Sequence, residues 1–245
     1  MSLLDSMKRS KPLHMTLIDP GSVTPDKGSI IGEKAAAAGT DIFLLGGSTN
    51  IDPIKLDTIA RQLRTLRRPV VLFPGNINGI TREADAILYL VLMNSLDPYY
   101  ITGVQVQAAP LILKTGLEVI PTSYVIVGYG GTVGHIGRAL PVPNEKPELI
   151  ASYALAGSYM GAKAVYLEAG SGSPFIVNPD GVRMARRLID EAGADTLLIV
   201  GGGVRNPRDA EELVSAGADA IVTGNIAEED PEALLSIIEA VKSFR

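Results

Sequence analysis

The sequence predicts an α/β barrel, a (β/α)8 TIM barrel whose third helix is missing or replaced. The first observation behind this is a recurring phrase: a helix end, Gly, a small residue, a polar residue, an apolar run and another Gly. It appears as Gly39-Thr40-Asp41 before Ile42–Leu45, Gly161-Ala162-Lys163 before 164–167, Gly193-Ala194-Asp195 before 196–200, and Gly217-Ala218-Asp219 before Ala220–Thr223. A glycine closing an Ala-rich helix is the usual left-handed cap, and the short apolar run behind it suits a parallel strand buried on both faces. The second observation is a count of eight such runs with helical segments between most of them. The third is length: 245 residues without a Ser/Gly linker suit one barrel domain spanning 1–245.

The elements follow in order. The first strand, Leu13–Ile18, ends at Asp19-Pro20. A helix over 26–38 opens on Asp26 and closes in alanines before Gly39. The second strand is 41–45, followed by a helix over 53–66 that starts on Pro53, a favoured first-turn residue. The third strand is 70–73. Only 74–86 then separates it from the fourth strand at 87–93, and Pro74, Gly75, Asn76, Asn78 and Gly79 leave no room there for a full helix. A helix over 101–115 leads to the fifth strand, 118–127, and one over 145–160 to the sixth, Ala164–Glu168. Helices over 180–192, 207–216 and 231–244 alternate with strands at 196–200 and Ala220–Thr223. An open doubly wound sheet is the alternative arrangement of the same elements.

Composition removes several function classes. Twenty-seven acidic against 22 basic side chains give a net charge of -5, which argues against a nucleic-acid surface or a polybasic membrane surface. The absence of cysteine excludes disulfides, Cys-ligated zinc, iron–sulfur clusters and thiol nucleophiles. Two histidines, His14 and His135, leave His-rich metal sites and most Ser-His-Asp designs without parts. The longest apolar run, 86–93, falls far short of the ~18 residues of a spanning helix. Lys8, Arg9 and Lys11 precede too short an apolar stretch for a signal peptide. A soluble, cytoplasmic protein is expected.

Barrel enzymes build their sites at the C-terminal ends of the strands. Those ends here carry Asp19; Gly46-Gly47-Ser48-Thr49-Asn50; Pro74-Gly75-Asn76; Gly128-Tyr129-Gly130-Gly131-Thr132; Glu168-Ala169-Gly170-Ser171-Gly172-Ser173; Gly201-Gly202-Gly203-Val204-Arg205; and Thr223-Gly224-Asn225. The last two loops occupy the usual phosphate position of this architecture, where glycines let backbone amides approach an anion closely. Alternation along the sixth strand places Tyr166 and Glu168 on one face. A carboxylate there is either a structural ion pair or a base beside the phosphate. Asp19 and Ser48 suit a Mg²⁺ shell of hard oxygens, or else an Asx turn and a helix cap. His14 reads as a satisfied core residue and His135 as a loop residue, while Arg138 and Arg205 are candidates for a pyrophosphate.

Taken together, Leu13-His14-Met15-Thr16-Leu17-Ile18-Asp19-Pro20, Gly46-Gly47-Ser48-Thr49, Phe73-Pro74-Gly75-Asn76, Tyr166-Leu167-Glu168-Ala169-Gly170-Ser171-Gly172, Gly201-Gly202-Gly203 and Thr223-Gly224-Asn225 resemble the geranylgeranylglyceryl phosphate synthases. These are archaeal ether-lipid prenyltransferases related to bacterial heptaprenylglyceryl phosphate synthases. The resemblance runs in order through essentially the whole chain. It implies a modified TIM barrel with a replaced third helix; a homo-oligomer is expected as well. It implies Mg²⁺ at Asp19 and Ser48, and sn-glycerol-1-phosphate at Tyr166, Leu167, Glu168, Ala169, Gly170, Ser171, Gly172, Gly202, Gly203, Gly224 and Asn225. Glu168 would be the catalytic base, and a prenyl diphosphate the donor. Gly21 stands where many members carry an acidic residue, so a second metal carboxylate is not expected there. The donor tail calls for an apolar groove, for which Phe73, Tyr99, Tyr100 and the segment Val104–Leu113 are available, and transient contact with a membrane surface fits such a donor. A phosphosugar isomerase or aldolase on the same barrel, or a non-catalytic phosphate-binding barrel, are the rival readings.

Overall fold

The computed structural model describes residues 1–47, 49 and 51–245, and only the backbone of Glu228 and Pro231. Eight parallel strands close in sequence order, which sets aside the open sheet. They are β1 (Leu13–Ile18), β2 (Ile42–Leu45), β3 (Val70–Leu72), β4 (Ala86–Leu92), β5 (Glu118–Ile126), β6 (Ala164–Glu168), β7 (Leu197–Gly201) and β8 (Ala220–Thr223). Each lies within two residues of its expected bounds, because Gly and Pro punctuation sets strand ends strongly.

The outer helices are α2 (Pro25–Ala38), α3 (Pro53–Arg64), α4 (Val104–Leu113), α6 (Pro147–Tyr159), α7 (Pro179–Glu191), α8 (Pro207–Ser215) and α10 (Pro231–Lys242). Between β3 and β4 a single 3₁₀ turn, Ile77–Gly79, replaces the third helix. The helix expected from 101 starts instead as a π turn, Tyr99–Gly103, that runs into α4.

Three short helices were not expected. In α1 (Leu3–Arg9), Ser2 caps Asp5 N, Glu118 accepts from Leu3 N and Leu4 N, and buried Met7 packs under the barrel. α5 (Gly131–Ile136) and α9 (Asn225–Glu229) follow β5 and β8. Segments this short carry too little periodicity to be read, and packing decides them.

Strand alternation divides the core in two. Met15, Leu44, Val71, Leu88, Ile120, Tyr124, Tyr166, Ile199 and Val222 fill the barrel interior. Val125, Val165, Leu167, Val200 and Ile221 point outward against the helices. Parallel register, such as Tyr124↔Tyr166 and Ile126↔Glu168, carries inward residues of neighbouring strands to the same level. Among the described residues no helix is long and apolar enough to cross a membrane.

Candidate active site

A cavity of about 570 Å³ opens at the C-terminal ends of the strands. Its wall has two characters. One side carries Asp19, Glu168, Ser171, Arg205 and Asn225, and the other Ile80, Ile87, Leu90, Val104, Ala108 and Ile112.

Glu168 closes β6 and is buried. Its Oε1 accepts from Gly170 N at 2.7 Å, its Oε2 accepts from the Tyr124 hydroxyl at 3.4 Å, and the Tyr166 hydroxyl also stabilises it. Burial pushes its carboxyl above the usual carboxylate range, against those three hydrogen bonds. No cation forms an ion pair with it among the described residues, so the structural ion-pair reading does not describe it. Tyr124 and Tyr166, both buried, are in turn pushed well above their usual value, first by burial and then by the Glu168 charge. Three rings brace this corner: Phe73 stacks on Tyr166 at 5.2 Å, and Tyr124 meets Phe73 and Tyr166 edge-on at 5.5 and 5.2 Å.

The glycines are where backbone must pass close. At Gly202, with φ +82°, a Cβ would lie 2.4 Å from Glu168 Oε1 and 2.6 Å from Gly170 N. At Gly203, with φ +74°, it would lie 2.1 Å from the Phe175 carbonyl oxygen. Gly202, Gly203, Gly224 and Asn225 line the cavity together with Ser171 and Gly172, and Ser171 Oγ donates to Asn225 Oδ1 at 2.6 Å, joining the loops after β6 and β8. Leu167 and Ala169 turn their side chains into the outer core, so of the candidates only their backbone can serve the site. Gly170 contributes its amide to Glu168 and does not itself line the cavity.

Asp19 forms an Asx turn, the alternative to the metal shell, with Oδ1 accepting from Gly21 N at 2.7 Å, and it lines the cavity as well. Its carboxylate sits where a Cβ on Gly47 would be, 2.1 Å from that position, so the second loop must offer glycine there. Ser48 lies outside the described residues. Among those described, no group of three or more His, Asp or Glu gathers to hold a metal ion.

On the apolar side Phe73, Tyr100 and α4 residues Val104, Ala108 and Ile112 meet the groove expectation. Tyr99 does not line it; it braces Tyr100 edge-on at 5.1 Å. Ile80, directly after the 3₁₀ turn that replaces the third helix, lies on the same wall. Gln105, on the same wall, ties α4 to the barrel by donating to the carbonyls of Leu90 and Tyr100 at 2.7 and 3.0 Å.

His14 is a core residue, its Nδ1 and Nε2 each 3.0 Å from Thr40 and Thr223 hydroxyls. His135 and Arg138 are exposed and outside the cavity wall, whereas Arg205 lines it and donates to the Gly172 carbonyl at 3.4 Å. Sequence reasoning missed Tyr124, although the alternation that paired Tyr166 with Glu168 also points Tyr124 inward.

Comparison with known proteins follows the same lines. The chain is 50% identical over 243 residues to the geranylgeranylglyceryl phosphate synthase of Aeropyrum pernix, covering 98% of this chain and 95% of that one. It is 48% identical over 240 residues to the synthase of Sulfolobus acidocaldarius, covering 98% and 92%. The crystal structure of (S)-3-O-geranylgeranylglyceryl phosphate synthase from Thermoplasma acidophilum, in complex with its substrate sn-glycerol-1-phosphate, superposes with a TM-score of 0.93 at 41% identity over 99% of both chains. A thiamine phosphate pyrophosphorylase from Pyrococcus furiosus, at 14% identity and a TM-score of 0.58, shares the fold alone. The PcrB family model matches residues 5–242, from the first helix to the last, and the chain belongs to the PcrB family.

Proposed function

We propose that this chain, acting as one barrel domain, transfers a geranylgeranyl group from geranylgeranyl diphosphate to the 3-hydroxyl of sn-glycerol-1-phosphate, releasing diphosphate. This is an early step of archaeal membrane ether-lipid synthesis. The observation that carries the reading is that one cavity joins a buried carboxylate held by neutral donors to glycine-rich phosphate loops and to a long apolar wall. A phosphosugar isomerase has no use for that wall, and no described lysine lines the cavity to serve a Schiff-base aldolase. The end-to-end similarity to geranylgeranylglyceryl phosphate synthases supports the same reading.

The acceptor phosphate would lie against the amides of Gly202, Gly203 and Gly224 with Asn225 and Ser171, leaving its hydroxyls toward Glu168. The hydroxyl oxygen attacks the allylic carbon, the carbon–oxygen bond to diphosphate breaks, and Glu168 takes the hydroxyl proton. Burial raises the basicity of Glu168 toward the operating pH, where a general base is most effective. Positioned proton transfer of this kind contributes about 10²–10⁴-fold in rate. The aromatic corner excludes water from the reacting carbon.

A divalent ion would fit one end of this site. Asp19 presents a single hard-oxygen carboxylate packed on Gly47 at the cavity wall, and Mg²⁺ needs one or two carboxylates, the rest of its shell being water and phosphate oxygens. Asp19, with Ser48, would hold it, and it would supply neutralisation of the charge developing on the leaving diphosphate. Arg205, on the same cavity wall, would assist. A homo-oligomer belongs to the same reading, and light scattering decides it.

Purified protein incubated with Mg²⁺, radiolabelled sn-glycerol-1-phosphate and prenyl diphosphates from geranyl to heptaprenyl tests the proposal. The expected result is an acid-stable prenyl ether, most rapidly formed from the geranylgeranyl donor, with stoichiometric diphosphate. Absence of an ether product with every donor would overturn it.

A further inference from the structure

Exposed apolar side chains that the chemistry above does not use form a collar on the segments after β4, β5 and β6, and Ile136 among them reaches the cavity wall. The segment after β4 and the segment after β5 run antiparallel: Leu96 N donates to the Arg138 carbonyl at 2.9 Å, Leu140 N to the Asn94 carbonyl at 2.8 Å, and Ser95 Oγ to the Gly137 carbonyl at 2.6 Å. The Ser95–Ala139 pairing puts Leu96 opposite Arg138 and Leu140 opposite Asn94, so the two leucines are diagonal neighbours on one face of the ribbon, 72% and 63% exposed, and Ile136, 39% exposed, precedes the ribbon's second segment. Tyr129 and Phe175 continue the apolar surface; a Cβ on Gly128 would lie 2.7 Å from the Phe175 ring, so the two loops touch.

Two facts point to what covers the collar. Ile136 and Gly137 also form part of the cavity wall, so the collar and the apolar interior are one continuous surface. Although the chain carries a net charge of -5, no acidic residue occurs between Glu118 and Glu145, and the loop over 128–144 holds His135 and Arg138. Arg138 stands in left-handed backbone with φ +47°, and its guanidinium is largely exposed beside Asp97. Exposed Leu and Ile with flanking aromatic rings and a cation are the chemistry of a bilayer interface.

Resting on the prenyl-transfer reading, we propose that the collar formed by Leu96, Ile136, Leu140, Tyr129 and Phe175 docks on a lipid bilayer, so that a membrane-dissolved prenyl diphosphate enters the cavity directly. The donor's long tail partitions into a bilayer, and the product is itself a lipid.

The test uses full-length protein, vesicles of phosphatidylcholine with phosphatidylglycerol, and the double variant Leu96→Asp/Leu140→Asp, with Leu96→Gln/Leu140→Gln as a gentler pair. Wild type should co-sediment with vesicles, and each pair should bind roughly tenfold or more weakly. With geranylgeranyl diphosphate held in vesicles KM should rise in proportion, while kcat with water-dispersed geranyl diphosphate stays unchanged. Wild type that stays in the supernatant, or variants that sediment equally well, would overturn the docking. A lower assembly mass by light scattering in either variant would overturn it too, by assigning the surface to contacts between copies. Lack of turnover by wild type on any donor would instead overturn the prenyl-transfer reading, while sedimentation still decides the docking.

Discussion

At the N-terminal end of the barrel Asp41 and Asp219 are each held by two cations, whereas at the C-terminal end Glu168 has neutral donors. Asp219 meets Lys11 at 2.8 Å and Arg186 at 3.0 Å and accepts from Leu198 N. Asp41 meets Lys242 and Arg245 near the chain's end and accepts from His14 N. These paired carboxylates stitch strand starts to helices that are distant in sequence. Glu168 is buried as deeply as Asp219, but its partners are an amide and two hydroxyls, so burial dominates and its proton affinity rises. The difference teaches that charge compensation marks the stabilising end of this barrel, and its absence marks the reactive end. Removing a carboxylate should therefore unfold one end and silence the other.

Glu168→Gln should show the largest effect, a fall in kcat of about 10²–10⁴ without loss of thermal stability, since the neutral amide suits a buried site with no cation. A folded variant with near wild-type kcat would remove the base from Glu168. Asp219→Ala should do the reverse, costing about 3 kcal/mol of stability by leaving Arg186 and Lys11 uncompensated, with kcat of the folded fraction preserved. Denaturant unfolding beside kinetics on both variants checks the contrast. A drop in kcat for Asp219→Ala at constant stability would break it.

Gly202→Ala sharpens the reactive end. Its Cβ strains a φ of +82° and collides with Glu168 Oε1, so kcat/KM for glycerol phosphate should fall roughly tenfold or more through misplacement of the base. Unchanged kinetics in a folded variant would place the acceptor elsewhere.

His14 tests the stabilising end by titration. It is buried neutral, with its pKa lowered to about 3 by burial, against 6.5 in the unfolded chain. Its contribution to stability is therefore complete above pH 6.5 and is lost as pH falls toward 3, by at most about 1.4 kcal/mol per pH unit. His14→Gln should flatten that acid limb, and an unchanged limb would exonerate the histidine. The smallest effect belongs to Tyr124→Phe. It removes a hydrogen bond that favours the Glu168 anion, so kcat should fall by roughly two- to tenfold. Losing that hydrogen bond should also move the acid limb of kcat/KM upward. A limb that stays in place would reduce Tyr124 to packing.

Much of the fold was legible because its signals are local. The Gly-capped phrases marked the strands, and Pro74, Gly75, Asn76, Asn78 and Gly79 excluded the third helix, where the protein keeps the 3₁₀ turn Ile77–Gly79. Period-two alternation places Tyr166 and Glu168 on one face, and loop position alone makes Asp19, Gly202 and Gly224 candidates. These inferences need only neighbours along the chain.

What the chain alone could not show depends on residues far apart in sequence. Whether Glu168 is paired or free of cations is decided by which side chains β5, β6 and β7 carry to its level, and those come from 44 residues away at Tyr124 as well as from Gly170 beside it. Tyr99 and Tyr100, adjacent and alike in type, part company because the π turn brings only Tyr100 to the cavity wall, with Tyr99 edge-on against its ring. Alternation names the face of a strand, but ring closure decides which groups share a level inside the barrel. The sequence by itself determined the barrel and the chemistry available at its rim; the tertiary structure decided which of those groups share a dry, uncompensated pocket, because burial and charge pairing are properties of the assembled neighbours.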